Sequence, residues 1–300
     1  MTDKNAYLLN LIEKELSNEE ICKELNISKK QLKRRIESIK YDGYNVDKQY
    51  NYDGTFNYYL NRKIENSNSK EIEINSFDSD SFRALAIADT HFGHKKGNLK
   101  YIETMYEYCK KNNINIIIHC GDLFEGVFQS KLNHEEQIYY FTENFPYDEN
   151  ILMFTVFGNH EEEFINDSGI NLSNFITKER DDIVPLGFYE SKLAILDNKI
   201  MVCHRKDFKE EYGLKLAGHS HRYKFLINQS GPLIVVPTLS DYLHTTDYPG
   251  AVDLNISLDS FKLFNKLEAK HLTINKRGNI RETSTIEYPF KRIQKVRKIK

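Results

Sequence analysis

The sequence predicts an α/β domain preceded by a small helical unit, and three observations predict it. From Phe82 onward, strand-like apolar runs alternate with helical stretches, and run after run ends in a polar, often glycine-bearing cluster. Residues 1–61 instead place apolar residues at helical spacing before two short strand-like pieces. Between the two lies a serine-, asparagine- and acid-rich stretch, 62–80, which reads as a linker even though "EIEIN" within it has strand character. The expected division is therefore 1–61, a linker at 62–80, a sheet domain at 81–270, and C-terminal strands with a basic tail at 271–300.

The first unit is legible from its helix starts. Ser17 with Glu20, and Ser28 with Gln31, each have the spacing of a capping box. Ile21, Leu25, Ile27, Leu32, Ile36 and Ile39 then lie on helical faces either side of a short turn, which resembles a helix-turn-helix. The following "YDGYNVDKQYNYDGTFNYYL" reads as two strands around a turn, the wing of a winged helix. The second helix carries Lys29, Lys30, Lys33, Arg34 and Arg35, suited to phosphates along a nucleic-acid groove or, alternatively, to a solvated face of a protein-docking module.

Composition sets the outer bounds. The 300 residues carry a net charge of −2, which excludes a uniformly basic nucleic-acid coat but not a local patch. Cys22, Cys109, Cys120 and Cys203 show no CxxC pair, as expected of reduced thiols in a cytoplasmic protein. The clean apolar run Ile151–Phe157 is far short of the ~20 residues of a membrane-spanning helix, so no membrane association is expected.

The chemistry sits in five strand-end clusters. "RALAIA" runs into "DTHFGH", "INIIIHC" into "GDLFEG", "ILMFTVF" into "GNHEEE", "KIMVC" into "HRKD", and "LKLA" into "GHSH". In such sheets functional groups collect beyond the carboxyl ends of strands. The clusters hold Asp89, His91, Asp122, Asn159, His160, His204, His219 and His221, including half of the ten histidines. Carboxylate, imidazole and one amide, with no thiolate, suit a borderline divalent metal, and the set is too large for one tetrahedral site. Two metals sharing a carboxylate would use it, clamping a phosphate and activating water for in-line attack.

The series DxH, GDxxE, GNHE, H and GHxH, at residues 89–91, 121–125, 158–161, 204 and 218–221, resembles the calcineurin-like metallophosphoesterase superfamily over residues 82 to about 260. That resemblance implies two β-sheets flanked by helices with a dinuclear site at the strand ends. It implies that Asp89, His91 and His221 hold one metal, that Asn159, His204 and His219 hold the other, and that Asp122 bridges them. His160 would contact the phosphate and protonate the leaving oxygen, with Glu125 orienting that histidine. The metals expected are two divalent ions, manganese first, with iron or zinc as alternatives.

Some residues depart from the pattern or lie beside it. Arg205 follows His204 where many relatives have glycine, and either reaches a substrate phosphate or points to solvent. "GDLFEG" lacks the aspartate–arginine pair of the phosphoprotein-phosphatase branch and looks closer to nucleases and phosphodiesterases. His94 and Lys95 follow the first cluster, His119 reads as a packed strand residue, and "LSDYLHTTDYPG" and the basic "FKRIQKVRKIK" are a candidate cleft rim and tail. The combined expectation is a metal-dependent phosphoesterase, a nuclease recruited by its winged helix. Its alternatives are a phosphatase or small-molecule phosphodiesterase whose first unit docks a protein partner, and a non-catalytic DNA-binding regulator.

Overall fold

The computed structural model describes residues 3–41, 44, 46–60, 72–75, 80–94, 99–126, 130, 132–205, 213–241 and 248–290. Lys95, the centre of the 239–250 segment and the tail beyond Phe290 fall outside the described residues.

The chain opens with helices α1 (Asp3–Glu13), α2 (Asn18–Leu25) and α3 (Lys29–Tyr41), then the antiparallel hairpin β1 (Val46–Asn51) and β2 (Phe56–Leu60). Ser17 and Glu20 close a reciprocal capping box, and Asn26 ends α2 in the left-handed conformation that frees the chain to turn. Ser28 and Gln31 exchange the equivalent bonds, with Gln31 Oε1 accepting from Ser28 N at 2.9 Å. Leu8, Ile12, Ile21, Leu32, Ile36, Ile39, Val46 and Tyr58 bury together as one small core.

The hairpin does not stand apart. Residues 72–75, inside the expected linker, form strand β3 (Ile72–Asn75), which pairs in parallel with β1 on one side and with β8 (Glu190–Ile195) on the other. Ile72 and Ile74 point into the core while Glu73 is exposed, a two-residue period too brief to stand out in polar surroundings. The hairpin thereby extends an eight-stranded sheet in the order β11-β12-β10-β9-β8-β3-β1-β2, with β9 (Asn198–Cys203), β10 (Leu214–Ala217), β11 (Lys224–Asn228) and β12 (Gly231–Val235).

A seven-stranded sheet lies against it in the order β15-β14-β13-β4-β5-β6-β7. Its strands are β4 (Ser81–Ile87), β5 (Ile116–Cys120), β6 (Leu152–Phe157), β7 (Ile183–Phe188), β13 (Gly250–Leu258), β14 (Phe264–Ile274) and β15 (Ile280–Pro289). β14 runs through the break expected at 270/271, pairing with β13 without interruption, while its burial alternation changes phase at Lys270–His271 and its pairing with β15 is irregular between His271 and Leu272. β4 to β7 run parallel. Both faces of β5 and β6 are buried, which is why those runs are apolar without alternation. Ala84, Ile118 and Phe154 face Leu193, Ile200 and Leu216 of the other sheet. Leu85, Ile117 and Met153 face Tyr101, Met105 and Phe141 of helices α4 (Leu99–Asn112) and α5 (His134–Asn144). Each buried Leu, Ile, Met or Phe among them contributes roughly 1.5–3 kcal/mol of burial. Helices α6 (Asn159–Ser168) and α7 (Leu172–Glu179) complete the outer layer. The fold is α/β, two packed sheets with helices, and the ends of five strands meet along one edge.

Candidate metal centre

The five clusters converge. β4, β5 and β6 deliver Asp89, His91, Asp122, Asn159 and His160 from one sheet, while β9 and β10, parallel neighbours in the other, deliver His204, His219 and His221. Asp89, His91 and His221 bring ligand atoms within 4.8 Å of one another, and so do Asp122, His204 and His219. Asn159 Oδ1 lies 3.2 Å from His204 Nε2, within the second group. His160 shares a third such group with His91 and Asp122.

The backbone pays a conformational cost for this convergence. Asp89, His91, Asp122, His219 and His221 all have φ between 46° and 64°, the left-handed region that side chains with a Cβ disfavour. Two glycines make room for the donors. A Cβ on Gly158 would collide with Asp122 and His204, and Gly121, at φ +90°, abuts the His204 ring.

The contacts are those of a cation site. His91 Nε2 faces His221 Nε2 at 3.3 Å, and His204 Nε2 faces His219 Nδ1 at 3.0 Å. His221 Nε2 is 3.3 Å from Asp89 Oδ1, and His204 Nε2 is 3.1 Å from Asp122 Oδ2. Paired ring nitrogens compete for a single proton, whereas their lone pairs can share metals. The outer ring edges are fixed from behind, with His204 Nδ1 donating to the Cys120 carbonyl at 3.0 Å and His91 Nδ1 3.0 Å from Glu125 Oε2. With only protons to share, burial pushes the His91 imidazole down to about 3. Burial also opposes charge on His204, yet the Asp122 carboxylate outweighs it and pushes His204 up to about 9. Burial would raise Asp122, but His204 holds it well below the usual carboxylate range. These donors fit a pair of divalent cations.

Three placements differ from the sequence expectations or lie outside them. Glu125 meets His160 through its main chain, its carbonyl taking the His160 Nδ1 contact at 2.5 Å, while its carboxylate turns to His91 instead. The motif reveals the glutamate, but which end of it serves which histidine depends on the path of a loop. Glu161 carries no expected role, yet it is fully buried and accepts from Phe124 N and Gly158 N, both at 2.7 Å, tying the second cluster to the third. Its sequence signals are its place as the last residue of GNHE and its position three residues after Gly158 at a helix start. Thr238 is likewise unanticipated; its hydroxyl donates to the Asp89 carbonyl at 2.8 Å.

Neighbouring histidines take other roles. His119 is buried, 3.1 Å from Thr90 Oγ1, and accepts from Gly121 N. His94 is buried in the first loop rather than presented to a substrate, its amide bonded to the His91 carbonyl. Arg205 is exposed, its guanidinium 5.7 Å from the Tyr189 ring centre.

The basic helix face divides. Lys29 Nζ lies 3.4 Å from Glu149 and from Glu19. Lys33 Nζ donates to the Lys178 carbonyl at 2.7 Å and pairs with Asp181 at 3.3 Å; Lys48 joins the same aspartate at 3.0 Å. Lys29 and Lys33 are thus engaged within the chain, Lys29 at the loop before β6 and Lys33 at the α7–β7 connection. Lys30 and Arg34 are exposed and Arg35 is half-buried.

A two-sheet sandwich with such a donor cluster at its strand ends is the framework of a metal-dependent phosphoesterase. Residues 82–253, more than half of the chain, match the model of the calcineurin-like phosphoesterase family, and the protein belongs to that family. A search of curated proteins returns no match. Among solved structures, the chain is similar to a predicted phosphoesterase of Streptococcus pneumoniae TIGR4 at 15% identity, covering 70% of this chain and 98% of that one, with a TM-score of 0.41. It is similar to Vacuolar Protein Sorting 29 of Cryptosporidium parvum at 14% identity, covering 70% and 100%, with a TM-score of 0.44. A third likeness is to an archaeal phosphodiesterase, at 19% identity over 61% and 97%, with a TM-score of 0.39. Among the described residues, no helix is long and apolar enough to cross a membrane.

Proposed function

We propose that the protein is a two-metal phosphoesterase acting on phosphodiesters, with nucleic acid as the substrate class. The observation that carries this reading is the convergence of two donor groups, one drawn from Asp89, His91 and His221 and the other from Asp122, His204 and His219, with Asn159 against His204. Asp122, 3.1 Å from His204 and in a second donor group with His91, is the residue to bridge two metals. Bound divalent cations, manganese in the first instance, supply Lewis-acid charge for the phosphate and lower the pKa of water.

The rest of the chemistry belongs to the chain. His160 sits at the start of α6, its Nδ1 committed to the Glu125 carbonyl and its Nε2 3.8 Å from Asp122 Oδ2. That leaves Nε2 to carry a proton to the leaving oxygen. Glu125 holds the far side of the His91 ring, so Nε2 of that ring stays aimed into the cluster.

The first sixty residues support the nucleic-acid part through their helix-helix-hairpin order, read as a winged helix, and through Lys30, Arg34 and Arg35. A second reading is favoured by the engagement of Lys29 and Lys33 with Glu149 and Asp181. In that reading the unit is packed as part of the enzyme, and the substrate is a small diester or a phosphoprotein. The intact donor set argues against a non-catalytic regulator.

Hydrolysis by manganese-loaded protein tests the proposal, with Asp122→Asn as control. Single-stranded and duplex oligonucleotides are offered beside a small diester and a phosphopeptide. Oligonucleotide cleavage lost in the variant supports the nuclease. Turnover of the small diester or phosphopeptide alone selects the second reading, and turnover of none sinks both.

A further inference from the structure

Tyr189 is the whole link between the two sheets at this edge: β7 ends at Phe188 in one sheet and β8 begins at Glu190 in the other. It turns the corner with φ +64°. Glycine would take that conformation without penalty, whereas a bulky side chain is disfavoured there. The main chain explains why the corner must be tight. Tyr189 N donates to the Phe157 carbonyl at 2.7 Å, and its own carbonyl accepts from His204 N at 2.7 Å. One residue thus joins the end of β6, which precedes Asn159 and His160, to the end of β9. None of this requires a phenol.

The ring has its own partner. It lies under the Arg205 guanidinium at 5.7 Å. Arg205 follows a metal-ligand candidate directly and is exposed. A lysine- or arginine-length chain on a strand end would otherwise sample solvent freely, at an entropic cost on every binding event. Stacking on an aromatic face removes much of that freedom while leaving the guanidinium N–H groups available.

We infer that Tyr189, fixed by its main chain at the corner between the sheets, is a positioning residue that holds Arg205 over the rim of the metal centre to grip a non-bridging oxygen of the substrate phosphate. This rests on the two-metal phosphoesterase reading and deepens it. Arg205 is the group that touches the phosphate; Tyr189 acts through Arg205.

The test is calorimetric binding of inorganic phosphate to manganese-loaded protein, with metal content measured in every sample. Arg205→Ala, a change of an exposed side chain, weakens phosphate binding about tenfold or more, the scale of one lost charge-assisted hydrogen bond. Tyr189→Leu weakens it by about three- to tenfold. Tyr189→Phe, which keeps the ring and removes only the hydroxyl, restores most of that loss. The Arg205→Ala, Tyr189→Leu double variant binds no more weakly than Arg205→Ala alone, because Tyr189 works through the arginine. Unchanged binding in Arg205→Ala overturns the inference, as does an equal further loss from Tyr189→Leu when Arg205 is already absent. Hydrolysis of a small diester in the same samples separates the two levels. Arginine-dependent phosphate binding without hydrolysis would sink the enzymatic reading and keep the clamp. Hydrolysis indifferent to Arg205→Ala would do the reverse.

Discussion

Two regions of the molecule concentrate charge, and the fold treats them differently. On α3, lysines with the sequence pattern of a free basic face find carboxylates of the same chain, Lys29 at Glu149 and Lys33 at Asp181. At the strand ends, imidazoles are set against imidazoles, 3.0 Å apart at His204–His219 and 3.3 Å apart at His91–His221. The first arrangement is satisfied by the protein itself. The second sets ring nitrogen against ring nitrogen, a contact that a cation placed among the donors would relieve. Density of ionisable residues is therefore a weak pointer to a site, and donor atoms set against donor atoms, held in place by disfavoured backbone at five positions, are a strong one.

The largest effect expected from either region is that of Asp122→Asn, which removes a carboxylate common to two of the three donor groups. Turnover falls on the order of a thousandfold, and bound manganese measured by elemental analysis falls with it. His160→Ala lowers kcat by about 10²- to 10⁴-fold, as for a lost general acid, while metal content stays at the wild-type level. If His160→Ala releases metal as well, the third donor group, with His91 and Asp122, is a ligand set and His160 belongs to it.

Glu125→Gln probes the strand ends more finely. Because its carboxylate braces His91 rather than His160, the variant weakens metal affinity about 10- to 100-fold. The kcat of the fully loaded enzyme changes less than in His160→Ala. The opposite ranking would return Glu125 to His160. Chelation gives a smaller signal: saturating manganese at 100 times Kd stabilises the native state by about 2.7 kcal/mol, read as a melting shift of several degrees that Asp122→Asn lacks.

The smallest effect belongs to α3. Lys33→Glu places like charge beside Asp181 and costs about 1 kcal/mol or less in a partly exposed pair, measured by denaturant unfolding. For DNA binding, charge reversal at the exposed Lys30 and Arg34 lowers affinity and flattens its salt dependence more than reversal at Lys33. Equal effects at all three would mean that α3 leaves Asp181 when nucleic acid binds.

Much of the candidate site is legible in the sequence because its signals are local. A strand-end histidine, a glycine before an aspartate, and His219 and His221 spaced by one residue are patterns of two to five residues. Their number and order point to a common site. The capping boxes at Ser17 and Ser28, and the apolar runs of β5 and β6, are readable for the same reason: helix starts and buried strands depend on near neighbours.

Chain order and residue type thus dictate which side chains stand at which strand ends, and hence the kind of chemistry they can perform. Their partners are set by packing in three dimensions. Packing pairs β3 with β1 and β8, turns the Glu125 carboxylate to His91, sets Lys33 against Asp181, and lays Arg205 on Tyr189. The two kinds of information differ physically. Backbone preference and hydrophobic period act over a few residues, whereas each of those contacts joins residues from 16 to well over 100 positions apart, whose meeting is set by how two whole sheets pack.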